Sequence, residues 1–489
     1  MSNVDVRSEP TRDAVGLKPS VIDKLFYSLG QTAQSGGFDT AIGFVFFYYT
    51  AVLGLSGALV GAALAVSLAF DAVADPVIGS WSDNLQSRFG RRLPLMIAAT
   101  PLVALSVGLL FSPPTGVGQG LLFAWLTVMS VAARSFISLY NVPYIALGAE
   151  MAVGYAERTS VVVYRAVAGI IAGTVITALA FTVFFAHGGL QRPGGYLGFG
   201  WTVAAILLVT MAACCLGIWR FAGRLPQPAP IAGSILTRLP GEVAEIFANP
   251  SFRVLFLSAV ITYVAVGLNA TLNNHAFVFV WRMRSESLQF LGYAYLAGIL
   301  LGVPIAPLLQ KMFEKKNVVL IGLSLLIGNW LVLQSLKLMG VYAPVGDAAL
   351  TPMAINSFIA GIGVGFASVA YPSMMADAAD EHEHLFGRRR EGLYFAGLGF
   401  AGKAATGLGV LVAGAALDLI RFPKDVGQKV GAVLPQDVQF RLVLIWGPAA
   451  ALIAIVSMLI FAGYGITRKR HEAIVEALRT KALAAAAAE

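Results

Sequence analysis

Phe70-Asp71-Ala72-Val73-Ala74-Asp75-Pro76 lies inside an apolar run, Ser56 to Trp81, that is long enough to cross a membrane as a helix. Asp71 and Asp75 are four residues apart, so on a helix they share a face one turn from each other. An ionisable group at membrane depth is expensive and by default marks a functional site. Two carboxylates with no Lys or Arg in the same run call for a cation or a shared proton. Pro76 follows at once, removing one helical N–H and kinking the helix, which frees a carbonyl near the pair. The pair is expected to hold a coupling ion.

The remainder of the chain fits a membrane setting. Of its 489 residues 57% are hydrophobic and only 12% charged, about half the share of a soluble chain, which implies a polytopic membrane protein. The glycines, 52 in number, suit helices that approach closely in lipid. A net charge of +8 does not imply nucleic acid, because most basic residues sit in short loops between apolar runs and report topology. Cys214 and Cys215 are adjacent within an apolar run and offer neither a disulfide framework nor a metal motif. The polar stretch Met1 to Pro19 lacks a signal-peptide pattern, so the first span is expected to act as an uncleaved signal.

Spans of about 20 or more apolar residues fall at 24–52, 57–82, 94–112, 118–150, 159–187, 197–223, 251–280, 287–311, 317–340, 352–380, 391–421 and 439–466. The flanking loops orient them. Arg88, Arg91 and Arg92, then Arg158, then Arg220, Arg224 and Arg238 fall on one side, with Lys311, Lys315, Lys316, Arg388 to Arg390 and Arg468 to Arg470. Loops on the other side, such as Ser112–Gly118 and Val341–Ala349, carry no Lys or Arg, which places both termini in the cytoplasm. Arg282, Arg284, Arg421, Lys424 and Lys429 are exceptions too few to reverse the orientation.

The connection from Leu225 to Asn249 contains Pro226, Pro228, Pro230 and Pro240 and a short amphipathic piece, Gly241 to Phe247. It divides the chain into a cytoplasmic tail 1–21, a six-helix bundle 22–223, a central loop 224–250, a second bundle 251–466 and a cytoplasmic tail 467–489. A weak internal repeat supports the division. Asp75-Pro76-Val77-Ile78-Gly79 and the basic loop to Arg92 resemble Val303-Pro304-Ile305-Ala306-Pro307 and the basic loop to Lys316. Parallel six-helix repeats of this kind mark the major facilitator architecture. The expected fold is thus an all-α membrane protein with twelve transmembrane helices in two pseudo-symmetric six-helix bundles.

Gly79-Ser80-Trp81-Ser82-Asp83 with Arg88-Phe89-Gly90-Arg91-Arg92 resembles the facilitator signature between the second and third helices. Asp83, Arg88, Arg91 and Arg92 are therefore expected gating residues. Asp377 and Asp380, with Glu381 and Glu383 beside Arg388 to Arg390, read as a matching gate network.

The stretch Asp71 to Gly79 is similar to the glycoside–pentoside–hexuronide:cation symporters, the melibiose permease-like family. Further matches are Tyr48-Tyr49-Thr50 with Gly54-Leu55-Ser56, Asn141-Val142-Pro143, Glu157-Arg158, Arg165, Ala376-Asp377 and Lys403. The resemblance implies that Asp71 and Asp75 bind the coupling cation with the hydroxyl kept at Ser138. The family's amide position is Ala74 here. Losing a neutral oxygen weakens a sodium site, which tips the expectation towards H⁺; with Na⁺, Asp71 and Asp75 would be its metal ligands. No other cofactor is expected.

The sugar-reading positions depart from the family. Its helix-four acid is Asn141, the tryptophan one turn on is Ile145, and the second stacking tryptophan is Ser368. Gln34-Ser35 stands where the family has Lys-Asp, with Asp39 one turn further on the same face. What remains is cationic: Arg165 and Lys403 match, and Arg134 is an addition that shares a helix face with Ser138 and Asn141. Guanidinium groups grip carboxylate or phosphate bidentately, so an anionic solute is expected, such as a uronide, an acidic conjugate or a phospho-headgroup. The plainer alternative pairs Arg134 and Lys403 with Asp71, Asp75 or Asp39. Substrate-binding candidates are Gln34, Ser35, Asp39, Arg134, Asn141, Arg165 and Lys403.

Other polar residues within spans are less telling. Tyr263, Asn269, Asn273, Asn274 and His275 suit interhelical hydrogen bonds as well as a cavity. The tail from Thr467 to Glu489 reads as a basic, alanine-rich surface helix without chemistry. No nucleotide-binding loop is present, and the five histidines show no catalytic spacing, so an ATP-driven pump and a membrane enzyme are disfavoured. The expected activity is cation-coupled uptake by alternating access in a bacterial inner membrane, by a monomer among lipids. A lysophospholipid carrier of the same superfamily branch is the rival.

Overall fold

The computed structural model describes residues 18–152, 154–186, 189–225, 245–388, 390–424, 426 and 432–488. The four central prolines, Arg238, the start of the amphipathic piece at Gly241, Arg389, Lys429 and residues 1–17 lie outside the described residues.

Within lipid every backbone N–H and C=O needs an internal partner, and a helix supplies all of them from one segment. Among the described residues there is no strand. The spanning helices are α1 (21–52), α2 (Gly57–Asn84), α3 (Leu93–Leu110), α4 (Gln119–Met151), α5 (Tyr155–Leu179, prolonged by a π turn to Phe184) and α6 (Pro193–Ala222). They continue with α7 (Pro250–His275, prolonged to Val280), α8 (Ser285–Met312), α9 (Lys315–Leu338), α10 (Leu350–Phe386), α11 (Glu391–Leu419) and α12 (Gln436–Phe461). A polar helix, α13 (Arg468–Ala488), comes last.

Eleven of these helices are each long and apolar enough to cross a membrane. The first, α1, is helical throughout but in short pieces, with a 3-10 turn at Gly30–Thr32 and π turns at Ala33–Phe38 and Tyr48–Val52. Its irregular stretch presses on neighbours: a Cβ on Gly36 would lie 2.4 Å from the Ala172 Cβ, and one on Gly37 2.5 Å from a Leu207 methyl. Several helices outrun their expected ends, and two of these extensions have a visible cause. α10 continues to Phe386 because its acidic last turns find bases in Lys315, Arg470 and His471. α5 starts at Tyr155, bringing Glu157 into its first turn. There the carboxylate meets the helix N-terminus and the Lys24 ammonium at 2.7 Å.

The described residues form two compact units. Unit 1 comprises 18–45, 70–184 and 193–225; unit 2 comprises 46–69, 185–192 and the residues from 245 onwards. In unit 1, α3 packs on α4 and α6, and α1 on α5 and α6. Phe44, Phe111, Phe181 and Phe199 interlock by edge-to-face and tilted contacts at 5.1 to 5.6 Å. Unit 2 is built on α10 against α8 and α9, and on α7 against α11 and α12. Small residues permit these crossings: a Cβ on Gly361 would lie 2.1 Å from the Tyr295 carbonyl oxygen. The first half of α2 belongs to unit 2 because Asp418 of α11 caps it, accepting from the N–H of Gly57 at 2.9 Å, the N–H of Ala58 at 3.0 Å and the Ser56 hydroxyl.

Candidate cation and substrate site

Asp71 and Asp75 sit on uninterrupted α2, with Pro76 inside the helix. Proline has no N–H, so the Ala72 carbonyl lacks its helical donor, and a backbone oxygen lies beside the acidic pair. Asp71 is buried, 4% exposed, and Asp75 is half-buried one turn further. Across from Asp71, α4 presents Ser138, whose hydroxyl donates to the Asp71 carboxylate. The structure thus joins Ser138 to Asp71 directly and places Asp75 one turn further along α2.

Arg134 lies one turn before Ser138 on α4 and interacts electrostatically with both Asp71 and Asp39. Its guanidinium also stands 5.8 Å from the Phe38 ring centroid. Unit 1 therefore places the Arg134 guanidinium within electrostatic reach of carboxylates from α1 and α2. Asn141 occupies a half-buried position further along α4. Gln34 is half-buried in the π turn, and the Ser35 hydroxyl accepts from the Gln31 amide at 2.9 Å. Arg165 sits elsewhere, with its guanidinium near the Tyr27 hydroxyl. Tyr27 and Tyr144 stack at 4.5 Å, each hydroxyl donating to the other's carbonyl at 2.9 and 3.0 Å. Lys403 is half-buried on α11, in unit 2.

The gating candidates separate into two networks. In unit 1, Arg92 donates to Glu150 at 2.9 Å and to Ser82 at 2.9 Å and meets Asp83 at 2.5 Å, while Arg91 reaches Glu150 at 2.7 Å. Arg88 stands outside this network, over the Phe89 ring. In unit 2, Lys315 clasps Asp377 at 2.7 and 2.8 Å. His471 lies 3.5 Å from Asp377 and 3.1 Å from Asp380, and Arg470 donates to buried Glu381 at 2.6 Å. The two networks repeat one plan: a base after the second helix of each half grips an acid near the end of the fourth. Sequence reasoning missed Glu150, although the internal repeat makes it the counterpart of Asp377. It foresaw the surface helix α13 but missed its contacts, Arg470 with Glu381 and His471 with Asp380.

Three polar residues of α7 meet partners on other helices. Asn269 donates to the Trp446 carbonyl at 2.7 Å, and Asn273 accepts from the Trp446 ring at 2.8 Å, tying α7 to α12. His275 lies 2.8 Å from the Thr50 hydroxyl, among Phe46, Phe47 and Phe422.

Repeated six-helix halves, a buried acidic step on the second helix and charged clasps at the helix ends define an integral membrane transporter of the major facilitator fold. The partially occluded xylose transporter XylE of E. coli has this fold, with a TM-score of 0.57 at 14% identity over 92% of this chain and 98% of that one. A bacterial homologue of the iron transporter ferroportin gives 0.62 at 14% identity over 91% and 98%. The chain belongs to the MFS/sugar transport protein family, whose model matches residues 26–468. Relatives include the isoprimeverose transporter of Lactiplantibacillus pentosus, 24% identical over 88% of this chain and 87% of that protein. The putative sulfoquinovose importer of Escherichia coli is 25% identical over 95% of each chain. The sodium-dependent lysophosphatidylcholine symporter 1 of Mus musculus is 25% identical over 98% and 92%. These relatives are transporters, and the chain is not an enzyme.

Proposed function

We propose that this protein is a cation-coupled symporter for an anionic glycoside of the hexuronide type. The observation that carries the reading is the buried Asp71 carboxylate, held by the Ser138 hydroxyl one turn from Asp75, with Arg134 facing it. A proton or Na⁺ arriving at Asp71 cancels the charge that engages Arg134. The guanidinium can then turn to a carboxylate or sulfonate on the solute. Ion and solute thereby strengthen each other's binding, the reciprocal free energy that symport requires. The proton is the preferred ion, since Ala74 supplies no side-chain oxygen. The sulfoquinovose importer among the relatives supports an anionic sugar.

The measurement is uptake of a labelled glucuronide and of a neutral pentose glycoside by Arg134→Ala and Arg134→Lys vesicles. The expected result is a rise in KM for the glucuronide of about tenfold or more in Arg134→Ala, the loss of a charge-assisted hydrogen bond, with partial recovery in Arg134→Lys. Preference for the neutral glycoside, or an unchanged KM, contradicts the reading.

One observation favours a second reading, a lysophospholipid carrier. A groove of about 750 Å³ between α1, α5 and α6 is lined by Ile22, Leu25, Leu29, Val167, Ile171 and Val175, a surface suited to an alkyl chain. Competition decides: lysophosphatidylcholine displacing the glucuronide at lower concentration would favour the carrier.

A further inference from the structure

We infer that unit 1 carries a binding site for the phosphodiester headgroup of an acidic membrane phospholipid, formed by Arg88, Arg220 and Arg224 with Phe89 and Trp219. These side chains border a depression of about 580 Å³ where the loop after α2 meets the end of α6. The backbone assembles it. Gly90 adopts φ +84°, a left-handed conformation open to glycine, and this lays the loop against α6 so closely that a Cβ would lie 2.7 Å from the Ala222 carbonyl oxygen. The N–H of Phe89 donates to the Ser87 hydroxyl at 3.0 Å, and the N–H of Arg224 to the Phe221 carbonyl at 3.1 Å, closing both rims.

Three exposed guanidiniums are held together there, and among the described residues none has a carboxylate within ion-pair distance. The acids of the neighbouring network, Asp83 and Glu150, are engaged by Arg91 and Arg92. Like charges gathered in one depression repel, and a phosphodiester relieves that repulsion while accepting several N–H bonds. The aromatic groups give the site its depth. Arg88 stands 4.8 Å above the Phe89 ring, Arg220 5.6 Å from the Trp219 ring, and the two rings are 6.5 Å apart. Tryptophan and arginine at the end of a spanning helix occupy the headgroup layer, and basic clusters between helix ends attract acidic headgroups. A membrane lipid is the chosen occupant because the depression lies at the ends of two helices long and apolar enough to cross a membrane, where the headgroup layer is expected.

The test is native mass spectrometry of the full-length protein released from phosphatidylcholine nanodiscs with or without phosphatidylglycerol. The wild-type chain is expected to retain phosphatidylglycerol. Arg88→Gln/Arg220→Gln/Arg224→Gln is expected to bind it more weakly by on the order of a hundredfold, and Arg220→Gln alone by about fivefold. Lys469→Gln/Arg479→Gln/Lys481→Gln, which removes as many exposed charges from α13, is expected to match the wild type. Equal retention by the triple-arginine variant, or equal loss in the α13 variant, overturns the site. Displacement of the lipid by millimolar inorganic phosphate overturns the membrane source.

Discussion

Asp71→Asn is expected to abolish concentrative uptake while leaving the protein folded. The amide has the shape of the carboxylate, and its oxygen still accepts from Ser138, so the α2–α4 contact survives. What disappears is the negative charge at a position 4% exposed to solvent. Without it a cation finds one carboxylate in place of two, and a proton finds nothing to neutralise next to Arg134. Accumulation driven by an imposed ion gradient should fall by on the order of a hundredfold, the upper range of a coupling free energy between two sites. Gradient-independent exchange of labelled for unlabelled solute reports that the variant is folded and inserted. Asp75→Asn should lose accumulation in the same way. Full accumulation by either variant removes the acidic step from the mechanism.

The second large effect is on stability. Glu150→Gln takes away the carboxylate shared by Arg91 and Arg92, of which Arg92 has a side chain only 7% exposed. A buried guanidinium that loses its partner destabilises far more than an exposed pair, so a loss of about 2 to 4 kcal/mol is expected. The melting temperature in detergent should fall by roughly 5 °C or more. Asp83→Asn removes the other acid of the network, but that carboxylate is 44% exposed, so less than about 1 kcal/mol is expected. Equal melting of Glu150→Gln and the wild type would show that the clasp does not hold α2, α3 and α4 together.

The acidic step was legible because spacing alone decides it. Residues i and i+4 on a regular helix share a face, and α2 is regular through Asp71 and Asp75 despite Pro76. Arg134 and Ser138 were legible for the same reason on α4. Along α1 the same counting is weaker, because each π turn holds more residues than an α turn and rotates every residue beyond it. Gln34 and Ser35 fall inside such a turn, so no 3.6-residue period fixes their direction. Arg165 matched a family position, yet its contact is with Tyr27, a residue far away in sequence whose approach depends on how α1 meets α5. The role of α13 was out of reach for a related reason. Its composition marks an amphipathic surface helix, but nothing in it says that Arg470 and His471 will meet the acidic end of α10. Glu150 shows the opposite case: the repeat was visible, and tracing it from the basic loops to the fourth helix of each half leads to the acid.

Solute-induced ion movement tests the central claim most directly. Vesicles holding the wild-type protein are suspended in lightly buffered medium without an ion gradient, and a pH electrode and a Na⁺ electrode monitor the addition of a glucuronide. Entry of the solute should draw H⁺ from the medium, or Na⁺ in its stead, and the signal should vanish in Asp71→Asn. Solute entry with neither ion moving, or an undiminished signal in Asp71→Asn, would contradict the assignment of Asp71 and Asp75 as the coupling site.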